Sequence, residues 1–158
     1  MTAVTNTTGV EERILNEGYG SGAWHGPDLK AALADVTAEI AFRRPGPERH
    51  NIAEIALHHA YYARAVRVKL TGHDAPPFIL EGDDWFSLPD ASRLSWPQIL
   101  DIVRAEQERL GTAIADIGAG RAPSPIRDAE RFDLVLGITC HAVYHAGQIQ
   151  LVKRLATR

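Results

Sequence analysis

Residues 131–156 read RFDLVLGITCHAVYHAGQIQLVKRLA, with no proline to interrupt a helix. Leu134, Ile138, His141, His145, Gln148, Val152 and Leu155 recur at intervals of three and four, so the stretch predicts one long helix with these side chains on a single stripe. The stripe is apolar at both ends and therefore faces a core, yet two imidazoles and a carboxamide sit in its middle. Each buried polar group left without a partner costs about 1–3 kcal/mol. Histidines four residues apart lie one turn apart, which lets both rings converge on one metal ion. The other way to satisfy them is a hydrogen bond from each ring to a nearby carbonyl. The residue after His141 is Ala142, so the Glu of the HExxH protease pattern is missing and a protease is not indicated.

Outward from this segment the chain reads as further amphipathic helices joined by Pro/Gly-rich connectors. Leu29, Leu33, Val36 and Ile40 mark a helical stripe that Pro45-Gly46-Pro47 stops. A second long helix is expected from Asn51 to Leu70, with Gly72 as its C-terminal cap. Ser95-Trp96-Pro97-Gln98 opens a third helix with a capping-box pattern, and Ile99, Val103, Leu110, Ile114 and Ile117 form its buried face. Val10 to Glu17 adds a short helix, and residues 1–10 are expected to be a flexible tail ahead of one domain over 11–158. The segment from His73 to Leu94 is long for a connection without structure, and such loops often serve as lids over a site. No strand alternation and no internal repeat is evident. The pattern predicts an all-α four-helix bundle.

Composition narrows the function classes. The 158 residues carry a formal charge of −3, and Lys and Arg are scattered, so no nucleic-acid footprint is expected. No apolar run approaches the roughly 18 residues of a membrane span, and the polar, threonine-rich start is not a signal peptide. A single cysteine, Cys140, rules out an intramolecular disulfide and fits a reducing, cytoplasmic setting; its ordinary place is buried, turned about 100° from His141.

A third metal ligand is sought on the second helix, which offers adjacent His58 and His59. His59 lies centrally among Ile52, Ile55, Tyr62, Val66 and Leu70, and His58 lies on a stripe rotated from it; the pattern alone does not choose. The stretch from Asn51 to Tyr62 with Leu70-Thr71-Gly72, and His141-Ala142-Val143-Tyr144-His145-Ala146-Gly147-Gln148-Ile149, resemble the DinB/YfiT-like superfamily of metal-dependent helical-bundle proteins. Trp24-His25-Gly26-Pro27 and Glu81-Gly82-Asp83-Asp84-Trp85-Phe86 are similar to it as well, so the resemblance runs from about residue 11 to the end. It implies a four-helix bundle, often homodimeric, with a three-histidine centre for a divalent metal. It also selects His58, four residues after Glu54, to join His141 and His145.

Three imidazoles suit zinc, nickel or iron, and three protein ligands leave a position open to water or a substrate thiolate. The resemblance implies a metal-dependent transferase that uses a low-molecular-weight thiol and a small-molecule substrate. The alternatives are a hydrolase using metal-bound hydroxide and a non-catalytic binding protein of the stress-response kind. Hydrolysis needs a base, and Glu106, between Val103 and Leu110, is the candidate; the competing place for it is the bundle edge. Gln148 is read either as a support for a ligand or as a core amide. Trp24, Trp85 and Phe86 either line the mouth of the site or cover core. Arg64 and Arg67 are read as surface residues or as partners for an anionic thiol. Asp83 and Asp84 are expected in solvated turns, and His25, His50 and His73 in loops with no special role.

Overall fold

The computed structural model describes residues 9–20 and 22–157, all of whose regular structure is helical. Among the described residues six helices follow one another: α1 Val10–Gly18, α2 Leu29–Leu33, α3 Ala38–Phe42, α4 Ile52–Thr71, α5 Trp96–Gly118 and α6 Asp128–Ala156. The expected tail falls largely on residues 1–8, outside the described residues, and Gly9 already caps α1 by donating to Glu12 at 2.9 Å. None of the described helices is long and apolar enough to cross a membrane.

Helices α4, α5 and α6 form the body of the bundle, and α1 packs along α6 and α5 as its fourth member. The predicted helix over Leu29–Ile40 is instead two short helices. Its buried stripe survives in Leu29, Leu33 and Val36, but the chain breaks after Leu33, and a second N-cap, at Thr37, opens a separate helix beyond the break. Asp28 accepts from the Ala31 amide at 3.0 Å and Thr37 from the Ile40 amide at 3.3 Å. The break exposes the Val36 carbonyl, which accepts the Trp96 indole N–H at 2.8 Å and so ties α2–α3 to the start of α5.

Two glycines sit where a side chain would not fit. Gly72 caps α4 in the left-handed region, at φ 67°, and a Cβ there would come 2.9 Å from Pro125. Gly18 lets α1 close on α6, where a Cβ would meet Ala142 at 3.0 Å.

The start of α4 is a polar knot. Asn51 caps the helix by accepting from the Glu54 amide at 2.9 Å and donates to the Leu88 carbonyl at 2.7 Å. Glu54, buried, accepts from the Leu88 amide at 2.9 Å and pairs with Arg44 and His50. Burial opposes its charge, but the bonds from Arg44, Leu88 and His50 outweigh that and hold its carboxyl below the ordinary value. This knot fixes the long connection to α4. That connection has no helix or strand over residues 72–95, yet Phe86, Leu88 and Leu94 are buried in the main core. It is a clamp built into the core rather than a detached lid.

Helix α6 begins at Asp128, three residues before the expected start, because the Arg127 amide is capped by Glu130. Its deepest face is rotated from the predicted stripe: Val135, Ile138, Ala142, Ala146, Ile149 and Val152 are buried, whereas Leu155 is 47% exposed. Positions 134, 141, 148 and 155 are seven apart, and a straight helix drifts about 20° per heptad, which carries the row from the core edge to solvent. His141 and Gln148 therefore lie at the edge of the buried face. Cys140 is exposed rather than buried, on the outward side of the helix.

Candidate metal centre

The rotation of α6 puts His141 and His145 where they face α4, and α4 brings His58 to the same point. The ligand-capable atoms of His58, His141 and His145 all lie within 4.8 Å of one another. Nε2 of His141 is 3.1 Å from Nε2 of His145 and 3.3 Å from Nε2 of His58. His58 and His145 are buried and His141 is half-buried.

The opposite side of each ring is held. His58 donates from Nδ1 to the Asp84 carbonyl at 2.7 Å, and His145 donates from Nδ1 to Oε1 of Gln148 at 2.6 Å. Gln148 is oriented in turn, because its Nε2 donates to the Tyr144 hydroxyl at 3.2 Å. With their Nδ1 protons committed, the neutral rings of His58 and His145 present Nε2 lone pairs to each other and to His141. Burial keeps the rings neutral: it lowers the His58 pKa against the pull of the Asp84 carbonyl, and takes His145 down to about 4 against the Gln148 bond. His141 falls to about 3, through burial and then through its histidine neighbours.

Facing lone pairs repel unless a cation lies between them. Tetrahedral coordination by imidazoles at about 2.0–2.1 Å separates their nitrogens by roughly 3.3 Å, which matches the spacing of 3.1 and 3.3 Å found here. The donor set thus fits a divalent metal, with the backing bonds that such ligands ordinarily have.

The loop before α5 walls the site. Trp85 stacks on His58 with ring centroids 3.8 Å apart, and His50 stacks on the other face of the indole at 3.7 Å. The Asp84 carboxylate accepts from the Tyr62 hydroxyl at 2.7 Å, so one residue braces both His58 and Tyr62. Asp84 is therefore not the free turn residue expected from sequence, and His50 is not idle. Tyr62 and Tyr144 were missed in the sequence; the signal that could have found them is that each lies one helical turn from an inward residue, His58 and Gln148 respectively.

Other sequence candidates lie elsewhere. Glu106 is buried and paired with Arg67 at 3.0 Å and Arg109 at 2.6 Å; it neither reaches water freely nor bonds the histidines. Arg64 is bound to the Ala75 and Pro76 carbonyls. Phe86 is core, while Trp24 is 94% exposed. His25 bonds the Glu17 carbonyl at 2.6 Å, and His73 is exposed. His59 is buried beside Gln107 and behind His141, not within the converging set.

These depressed histidines set a pH dependence. His59 and His145 have folded-state pKa values of about 4 against an ordinary 6.5, so between those values the unfolded chain binds protons that the folded chain excludes. Stability is complete above pH 6.5 and falls as pH drops towards 4, by at most about 1.4 kcal/mol per pH unit for each of the two. Urea unfolding of chelator-stripped protein is expected to show this loss between pH 7 and 5; a flat profile would show that the rings are not held neutral.

The comparisons with known proteins agree with this geometry. The sequence profile of the DinB superfamily matches residues 23–149, a span that contains all three converging histidines. No curated protein and no solved structure matches the chain at a significant level. By a sequence profile that covers most of its length, the chain belongs to the DinB superfamily.

Proposed function

We propose that the protein is a metal-dependent transferase that joins a low-molecular-weight thiol to a small electrophilic substrate, with His58, His141 and His145 holding the ion. The carrying observation is that one cleft reaches His141 and another reaches Trp85 and Gln148, the residues that stack on His58 and bond His145. One, of about 730 Å³, is lined by His50, Arg49, Trp85, Gln148 and Leu151; the other, of about 270 Å³, is lined by Tyr62, Lys69, Leu134, Ile138 and His141. Residues that form or brace the cluster thus face both clefts, an arrangement suited to two reactants meeting at one centre.

Zinc, nickel or iron bound there would supply Lewis acidity and lower the pKa of a coordinated thiol or water. The chain's own residues do the rest. Asp84 and Gln148 hold the rings of His58 and His145, and Trp85 shields one face of His58 from solvent. Arg49 gives the larger cleft a cationic group for an anionic thiol compound, and Leu151 and Val152 give it apolar surface. Hydrolysis is less well supported. Glu106 is locked between two arginines, and the hydrogen bond from Tyr62 holds the Asp84 carboxyl below its ordinary pKa, which makes it a weak base.

A second copy of the chain is the proposed partner. Phe132, Leu136, Cys140, Tyr144, Leu151 and Leu155 leave an exposed, largely apolar face on α6, spanning roughly 35 Å at 1.5 Å per residue. A twofold pairing of this face would bury it against itself and would wall the larger cleft, which Leu151 and Leu155 line. An exposed thiol and thiol chemistry both suit the cytoplasm.

Protein loaded with zinc, nickel or iron should consume a test electrophile only when a low-molecular-weight thiol is also present, and His145→Ala should reduce this to background. Turnover of activated esters without thiol would favour the hydrolase; neither reaction, with ligand-dependent thermal stabilisation, would favour a binding protein. Sedimentation should give a dimer that Leu151→Glu dissociates, and a monomeric wild type would remove the pairing.

A further inference from the structure

His59 takes no part in the converging set, yet it is among the most buried polar residues of the chain, 1% exposed. Its two nitrogens face two polar groups on two different helices. Nε2 lies 3.5 Å from Oε1 of Gln107 on α5, and Nδ1 lies 3.2 Å from Nδ1 of His141 on α6. Gln107 is itself buried and falls in register with Val103, Leu110 and Ile114 on the core face of α5.

We propose that His59 and Gln107 are positioning residues that select the tautomer of His141, and so make its Nε2 a metal-binding lone pair. This rests on the metal-centre reading above.

The order of protons follows from what each atom can do. A carboxamide oxygen only accepts, so the proton of His59 is on Nε2 and donates to Gln107. The neutral ring then has a lone pair at Nδ1, and the facing nitrogen of His141 must donate to it. With its proton on Nδ1, His141 presents an Nε2 lone pair towards Nε2 of His58 and His145. Reversing the chain would put the His141 proton on Nε2, where it blocks ligation. Each converging ring is thus braced from behind. A backbone carbonyl serves His58, a carboxamide serves His145, and a two-residue relay from α5 through α4 serves His141. The relay makes α5, which carries none of the three converging rings, part of the centre.

The test is zinc affinity by competition with a chromophoric chelator, with the cobalt(II) absorption spectrum as a signature of coordination. Thermal unfolding of the metal-free forms checks that each variant folds. His59→Leu removes the acceptor behind His141 at similar bulk, and His59→Asn places Oδ1 near the lost Nδ1. His59→Leu should weaken zinc binding by about 10–100-fold, as loss of a backing bond does, and should alter the cobalt spectrum; His59→Asn should recover most of both. Gln107→Leu should weaken binding in the same direction, and the double variant should be no worse than His59→Leu, because the two act in series. Wild-type affinity in His59→Leu, equal losses in His59→Leu and His59→Asn, or additive losses in the double variant would overturn the relay while leaving the metal centre standing. A wild type that binds no zinc, nickel, iron or cobalt would overturn the metal centre, and the relay with it.

Discussion

Buried imidazoles crowded nitrogen to nitrogen need something positive between them: His58 and His145 have committed their Nδ1 protons, and both turn Nε2 towards Nε2 of His141. That constraint organises this structure. Nε2 of His141 lies 3.3 Å from one such nitrogen, on α4, and 3.1 Å from another, on its own helix, so the packing of α4 on α6 also sets the site. The bundle holds the rings close, and the bonds behind them decide which nitrogen each ring offers.

Polar groups do this holding from within the core. Glu54 and Asn51 secure the start of α4 and the backbone of Leu88, and so keep Asp84 and Trp85 against His58. The long connection before α5 has no regular structure because its backbone groups and side chains serve the ends of other elements. Its burial at Phe86, Leu88 and Leu94 pins it to the core. A site braced by core groups is pre-organised, which is what a centre with few protein ligands requires.

Much of this was legible in the residues. The periodicity of α4, α5 and α6 gave the helices, and HxxxH on α6 gave two of the converging rings. The choice of His58 over His59 was not legible from periodicity, because both are buried and both face polar partners; what separates them is the α6 residue behind or beside each. The break at Ala34–Thr37 was hidden by an apolar spacing that two short helices satisfy as well as one long one. Leu155 was misplaced because a strict stripe ignores the drift of a straight helix over 29 residues, whereas Cys140 was placed by the ordinary habit of free cysteine and instead sits on the outward side of α6. Asp84 reads as a solvated turn residue from sequence, since its contribution to His58 is a backbone carbonyl, which every residue possesses. Gln107 shares the spacing of Val103, Leu110 and Ile114, so its inward placement was available, but its partner His59 was not.

The most direct test is elemental analysis of the purified wild type beside His58→Ala, His59→Ala, His141→Ala and His145→Ala, after equilibrium dialysis against a fixed, saturating concentration of zinc, nickel or iron, with the metal of the buffer subtracted. Near-stoichiometric metal is expected in the wild type, with loss on changing His58, His141 or His145, and retention at saturating metal in His59→Ala. A wild type that takes up none of the three metals, or a loss confined to His59→Ala, would contradict a centre built from His58, His141 and His145.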